Sequence, residues 1–257
     1  GEAGYGMALI VLVVGFAGRF GRLWPVAAWP VLVAVTALFA FTSGYLGSVG
    51  TKPVHEPWLK ADAARLAAIE HVPGTQVRID DVSSITNQVN AFTVGFGPSA
   101  RVVLWNTVFT LPRSQVDVVL AHELGHVRSR HVVKAIGWTA LLTLPCLLLL
   151  ELATRRWGGL RNPANVPRAL LVLLLLTLLA APFENLVSRR YEAEADWRAL
   201  NATRTPLAAQ RVFQSFGTDS LEDPDPGLLD YLWLENHPTP MQRIAMTRAW
   251  AARRAGR

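Results

Sequence analysis

The sequence predicts an α+β membrane protein, with about four transmembrane helices and a polar, mostly helical domain that bears a small antiparallel sheet. Three observations carry that expectation. Of the 257 residues 51% are apolar and only 17% charged, and the mean hydropathy is +0.26; an ordinary soluble domain has about 25% charged residues. The apolar excess is concentrated in four uncharged stretches instead of being spread along the chain. The polar remainder holds short β-type runs followed by a helix. The same composition excludes a disordered chain. Cys146 is the single cysteine, which excludes an intrachain disulfide and a thiolate metal site. The net charge of +6 rests mainly on arginines scattered along the chain, and without a continuous basic stripe no nucleic-acid partner is expected.

The elements follow in order. Ala3 to Gly18 and Leu23 to Thr51 are uncharged and separated by four residues, which predicts a transmembrane hairpin over residues 1–51 and argues against a cleaved signal peptide. The chain opens on Gly1 and not on Met, as a fragment would, so the hairpin is expected to be truncated at its start. Residues 52–134 form the first part of a polar domain. Here Pro57 to Glu70 reads as a helix, Val72-Pro73-Gly74 as a turn, and Gln76 to Ile79, Ala91 to Val94 and Arg101 to Trp105 as short strands, the last two joined through Gly95, Gly97 and Pro98. Ser114 and Asp117 have the spacing of a capping box, so the next helix is expected to begin near Gln115. Residues 135–187 predict a second membrane pair. Its uncharged cores, Ala135 to Leu150 and Ala169 to Phe183, reach spanning length with their flanks, with Lys134 snorkelling and Glu184 near one surface. The leucine runs 147–150 and 171–176 are apolar on every face, which favours lipid over a soluble core. Residues 188–257 complete the polar domain.

The helix after Gln115 carries His122-Glu123-Leu124-Gly125-His126. Histidines four apart project from one helix face, about 6 Å apart, and suit two imidazoles converging on one zinc. Glu123 lies beside them and can take a proton from a metal-bound water. A third ligand is needed. His131 is nine residues after His122, which on a continuous helix puts it on the opposite face. The longer three-histidine pattern requires glycine at position 129 and histidine at position 132, where this chain has Ser129 and Val132. His55, His71 and His237 remain, and so does a carboxylate from a second helix. Glu192 and Asp196 share one helical face, with Glu194 on another, and Asp196 has the place of an acceptor that fixes a histidine tautomer. A solvated acidic face partnered by Arg189, Arg190 and Arg198 fits the same residues.

Four blocks, taken together, resemble the membrane zinc endopeptidases that include the CAAX prenyl protease and the HtpX heat-shock protease. Asn90-Ala91-Phe92-Thr93-Val94-Gly95 resembles that family's NAF-x-x-G edge strand, Leu120 to His126 its metal helix, and Ser188 to Asp196 its third-ligand block. His237-Pro238 with Arg243-Ile244 resembles its HP-x-x-x-x-R-I signature. The resemblance covers roughly residues 50 to 250 and implies a zincin-like catalytic domain holding one zinc ion on His122, His126 and Glu192, with Asp196 supporting and Glu123 as general base. It implies that Asn90, Ala91 and Phe92 bind a peptide or protein substrate as an added strand. Under it His237 is a candidate for stabilising the oxyanion, or else a turn residue, and Arg243 is its neighbour or a clamp on substrate. The prenyl protease branch resembles a seven-helix barrel, which four spans do not make; the HtpX branch has four helices. Two other classes stay open: a membrane sensor or scaffold with a structural or vestigial zinc, and a chaperone-like module that binds exposed hydrophobic segments. The connections 19–22 and 154–168 carry six arginines and no acid, which by the positive-inside rule puts the zinc domain outside. The resemblance implies a zinc site facing the cytoplasm of a cell membrane, and that orientation is adopted.

Overall fold

The structure, a computed structural model, describes residues 11, 13–219 and 223–256. It divides into two compact units. One takes the chain up to Phe39 together with Lys134–Ala181; the other takes Ala40–Val133 with Pro182–Arg257.

The long helices are α1 (Trp24–Leu46), α4 (His131–Thr154) and α5 (Val166–Thr203). Three runs are long and apolar enough to cross a membrane, Val13–Leu46, His131–Trp157 and Pro163–Thr203, and their most apolar windows are only 17%, 6% and 0% buried. Leucines such as Leu171, Leu174 and Leu179 stand exposed, so water is excluded as the natural surrounding of these surfaces. The described end of the first expected span, from Val13, and the second as far as Leu46 share the single run Val13–Leu46, interrupted at Gly21, whose φ of +56° admits a glycine without strain. Three candidate spans are therefore found among the described residues. Most of the residues before Val13, where the expected hairpin starts, lie outside them. Inside the first unit, Ala17, Trp24, Ala28, Leu147 and Leu150 are buried together, and the Trp24 indole donates to Glu151 Oε2 at 2.7 Å.

The second unit begins its polar part with β1 (Lys52–Pro53) and α2 (Pro57–Ile69), which starts on a proline after extended Glu56. The strands β2 (Gln76–Asp80), β3 (Ala91–Val94) and β4 (Arg101–Trp105) complete a sheet of order β1-β2-β4-β3. It is mixed, not antiparallel as expected: β2 runs parallel to β4, from Gln76 opposite Arg101 to Asp80 opposite Trp105. The reason is burial. Val102, Val103 and Leu104 have no exposed surface, so β4 takes the centre with both faces covered. The link 81–90 carries the chain past that place to the edge, and β3 returns antiparallel to β4.

Helix α3 (Arg113–Arg128) is covered on two sides. Val116, Leu120 and Leu124 join the core with Leu59, Leu66, Val102 and Leu104. Val118 joins a second core with Leu200 of α5, Ala209 and Val212 of α6 (Pro206–Asp219), and Ile244 and Trp250 of α8 (Pro240–Ala255). A short α7 (Leu228–Trp233) precedes α8. The expected capping box is not formed. The helix starts at Arg113 after Pro112 with no side-chain cap, and the Asp117 carboxylate instead meets Arg65 of α2 at 2.9 Å. Thr239 and Gln242 make such a box at the start of α8.

Candidate metal centre

With both flanks of α3 held by apolar cores, His122 and His126 come out one turn apart and face α5. The two helices pass closely at Gly125, where a Cβ would just touch the Cα and carbonyl oxygen of Ala195 at 3.4 Å and nothing larger has room. Glu192, one turn before Asp196, then reaches both histidines. Its Oε2 lies 3.2 Å from His122 Nε2 and its Oε1 3.4 Å from His126 Nε2, and the two Nε2 atoms are 3.0 Å apart. Ligand atoms of these three side chains all lie within 4.8 Å of one another.

The outer partners set the ring orientations. Asp196, with no exposed surface, accepts from His122 Nδ1 at 2.8 Å, so Nε2 is the nitrogen turned toward Glu192. Arg243 of α8 forks onto the same carboxylate, Nε to Oδ2 at 2.8 Å and Nη2 to Oδ1 at 2.6 Å, and lies over the Phe213 ring. Burial works against a charged His122 ring, and the Asp196 and Glu192 carboxylates more than offset it, pushing the group up to about 10. A cation bound here therefore displaces a proton.

Glu123 points to β3, where the Thr93 hydroxyl donates to its Oε2 at 2.8 Å and to its backbone oxygen at 3.0 Å. Thr93 was not among the residues expected at the site, although strand alternation separates its face from that of Phe92. Asn90 precedes the edge strand and caps its own neighbour, Oδ1 accepting from Ala91 N at 2.8 Å; Ala91 and Phe92 lie on β3 opposite Leu104 and Val103. His237, half exposed, has Nε2 3.5 Å from Glu192 Oε2. Arg243 is not an open clamp on substrate: it is buried and held by Asp196. A cavity of about 510 Å³ adjoins His126, lined among others by Thr93, Phe96, Pro98, Val127, Arg130 and Val133. The solvated acidic face does not hold for Glu192 and Asp196, which are buried, or for Arg189, which donates to the carbonyls of Tyr231 and Glu235; Glu194 does pair with Arg198, at 3.5 Å.

His131 departs from its expected place. The helix is not continuous: α3 ends at Arg128, Arg130 takes a φ of +54°, and His131 opens α4. The break turns His131 back onto the site, its Nδ1 3.0 Å from His126 Nδ1. It does not join the three ligand atoms.

Residues 53–251 match Peptidase family M48. The chain belongs to that family. Among M48 relatives it is 28% identical over 244 residues to the Uncharacterized metalloprotease YhfN of Bacillus subtilis (strain 168), covering 88% of this chain and 56% of that one. It is 32% identical over 214 residues to a Protease HtpX homolog of Acidiphilium cryptum (strain JF-5), covering 80% and 67%. With the CAAX prenyl protease 1 homolog of Oryza sativa subsp. japonica the identity is 26%, over 75% of this chain and 48% of that one. The chain thus spans from about half to two thirds of the length of these relatives. Its fold is that of the S. mikatae Ste24p crystal structure, with a TM-score of 0.76 at 20% identity over 94% of this chain and 62% of the other. M48 membership implies a metal, and the donor set fits one: two imidazole nitrogens and a carboxylate converge, with an outer carboxylate orienting one ring.

Proposed function

We propose that the chain is a membrane-embedded zinc metalloendopeptidase that hydrolyses peptide bonds of membrane-associated or misfolded proteins, with its catalytic domain on the cytoplasmic side of the cell membrane. The observation that carries this reading is the convergence of His122, His126 and Glu192 beside a glutamate tied to an edge strand. The three side chains would hold the ion, and the chemistry that zinc supplies when bound is polarisation of a carbonyl and acidification of a water.

The protein's own residues do the rest. β3 lies at the sheet edge, so a substrate segment can add to it as an extended strand, with main-chain hydrogen bonds giving affinity and modest side-chain selectivity. Thr93 bridges that edge to the base: its hydroxyl holds Glu123 Oε2, which fixes the rotamer from which the carboxylate takes the water's proton and later delivers it to the leaving amine. His237 Nε2, near Glu192 and half exposed, is placed to donate to the developing oxyanion. Arg243 acts through Asp196 and not on substrate.

The decisive experiment is metal analysis with proteolysis of an unfolded membrane substrate. Wild type is expected to carry one zinc and to be inhibited by a chelator. Glu123→Gln should keep the zinc and lose activity by about 10²–10⁴-fold, and Glu192→Ala should lose the metal. Turnover in Glu123→Gln at the wild-type rate removes the general-base role. Full metal content in Glu192→Ala removes that ligand.

A further inference from the structure

Resting on the metal reading above, we infer that His131 is a positioning residue for His126, the counterpart of Asp196 for His122. The two ligand histidines present the same nitrogen, Nε2, to Glu192. Each must then carry its proton on Nδ1, and that proton needs an acceptor. For His122 the acceptor is the Asp196 carboxylate. For His126 it is His131 Nδ1 at 3.0 Å. To accept there, His131 must hold its own proton on Nε2, and Nε2 faces Glu194 Oε2 at 3.4 Å. The relay runs from His126 through His131 to Glu194.

The surroundings hold His131 in the accepting pose. His131 is 4% exposed, and its ring stacks on Tyr191, with centroids 4.4 Å apart and planes 9° apart. Glu194 takes the Ser129 hydroxyl at 2.6 Å, and Arg198 donates to that same hydroxyl oxygen and also reaches Glu70. Left-handed Arg130 supplies the backbone turn that brings the ring round. The two ligand histidines are therefore supported unequally. A buried carboxylate braced by an arginine backs His122, and a neutral imidazole backs His126. The softer support makes His126 the ligand whose hold on the metal depends on a replaceable hydrogen bond.

The test uses the full chain in detergent, stripped by a chelator and titrated with zinc against a chromophoric competitor, with the cobalt(II) absorption spectrum and the metal dissociation rate as further readouts. His131→Phe keeps a flat ring against Tyr191 and removes the acceptor; it should bind zinc about 10–100-fold more weakly, lose metal faster and shift the cobalt bands. His131→Asn retains an oxygen near the Nδ1 position and should recover affinity to within about threefold. Thermal melting of the stripped proteins should be equal. Glu194→Ala, which leaves His131 in place but frees its tautomer, should fall between wild type and His131→Phe. If His131→Phe binds zinc as tightly as wild type, or His131→Asn is as weak as His131→Phe, the positioning role is overturned. If His131→Phe does not fold, equal affinity and equal cobalt spectra in Glu194→Ala and wild type overturn it instead. A wild-type chain that binds no zinc overturns the metal reading itself, an outcome distinct from either.

Discussion

Asp196 has no exposed surface, and the outer support of His122 meets at its two oxygens. Oδ1 lies 2.8 Å from His122 Nδ1 and 2.6 Å from Arg243 Nη2, while Oδ2 takes Arg243 Nε at 2.8 Å. A buried carboxylate is tolerated only when paired and hydrogen-bonded, and here a planar guanidinium fork supplies both at once. Arg243→Ala would leave the charge of Asp196 facing His122 alone. Breaking a buried pair from one side costs about 3–5 kcal/mol, so the variant should unfold at clearly lower denaturant or temperature than wild type in the same detergent. A midpoint unchanged within error would show that Arg243 is not a brace. Thr93 and His131 act on the same scale, each orienting one group of the site through one hydrogen bond.

Helix α3 is placed by contacts on both flanks, and two of them can be probed separately. Gly125 sets the approach to α5. A methyl there would only touch Ala195 and the Arg198 Cβ at 3.4 Å, so Gly125→Ala should keep its metal. Gly125→Val has no such room; it should push α5 away, withdraw Glu192 from the histidines and lower metal content sharply, as read by zinc analysis of the purified protein. At the start of α3, Arg113 bonds Asp62 of α2 at 2.7 Å, and Arg65 bridges Asp62 and Asp117. The Arg113 hydrogen bond holds the Asp62 carboxyl below its usual range against the opposing effect of burial. Asp117 is pushed up by burial and by Asp62. A carboxyl whose folded value is depressed contributes stability above its unfolded value, about 3.9, and that contribution is lost as pH falls through the folded value. Asp62→Asn should therefore be destabilised relative to wild type at pH 6–8, by about 1.5–3 kcal/mol for lost charge-assisted bonds. The gap should close on acidification below about pH 4. A gap independent of pH would mean that packing, not charge, is what Asp62 contributes.

At the scale of the whole molecule, the chain leaves the second unit at Lys134 and rejoins it at Pro182, having passed through two helices whose apolar windows have almost no buried residues. With the cytoplasmic orientation proposed above, a tag after residue 257 should resist external protease in intact cells and be cut after permeabilisation; digestion in intact cells would favour the arginine count of the short connections instead. The metal helix and the apolar segments were legible in the sequence, although four spans were expected and three candidates are found among the described residues. The first depends on a spacing of four on one helix, which is local geometry. The second depends on hydropathy summed along a contiguous stretch. Peptidase family M48 was legible through its blocks, and with it the pairing of Glu192 to the histidines. Tertiary structure alone decided the strand order, because which strand is central depends on which faces the helices cover and not on its own residues. It decided the burial of Arg243 on Asp196, 47 positions away in sequence. It also decided the return of His131 to His126: helical periodicity carries the chain away from the site, and one left-handed residue, Arg130, turns it back.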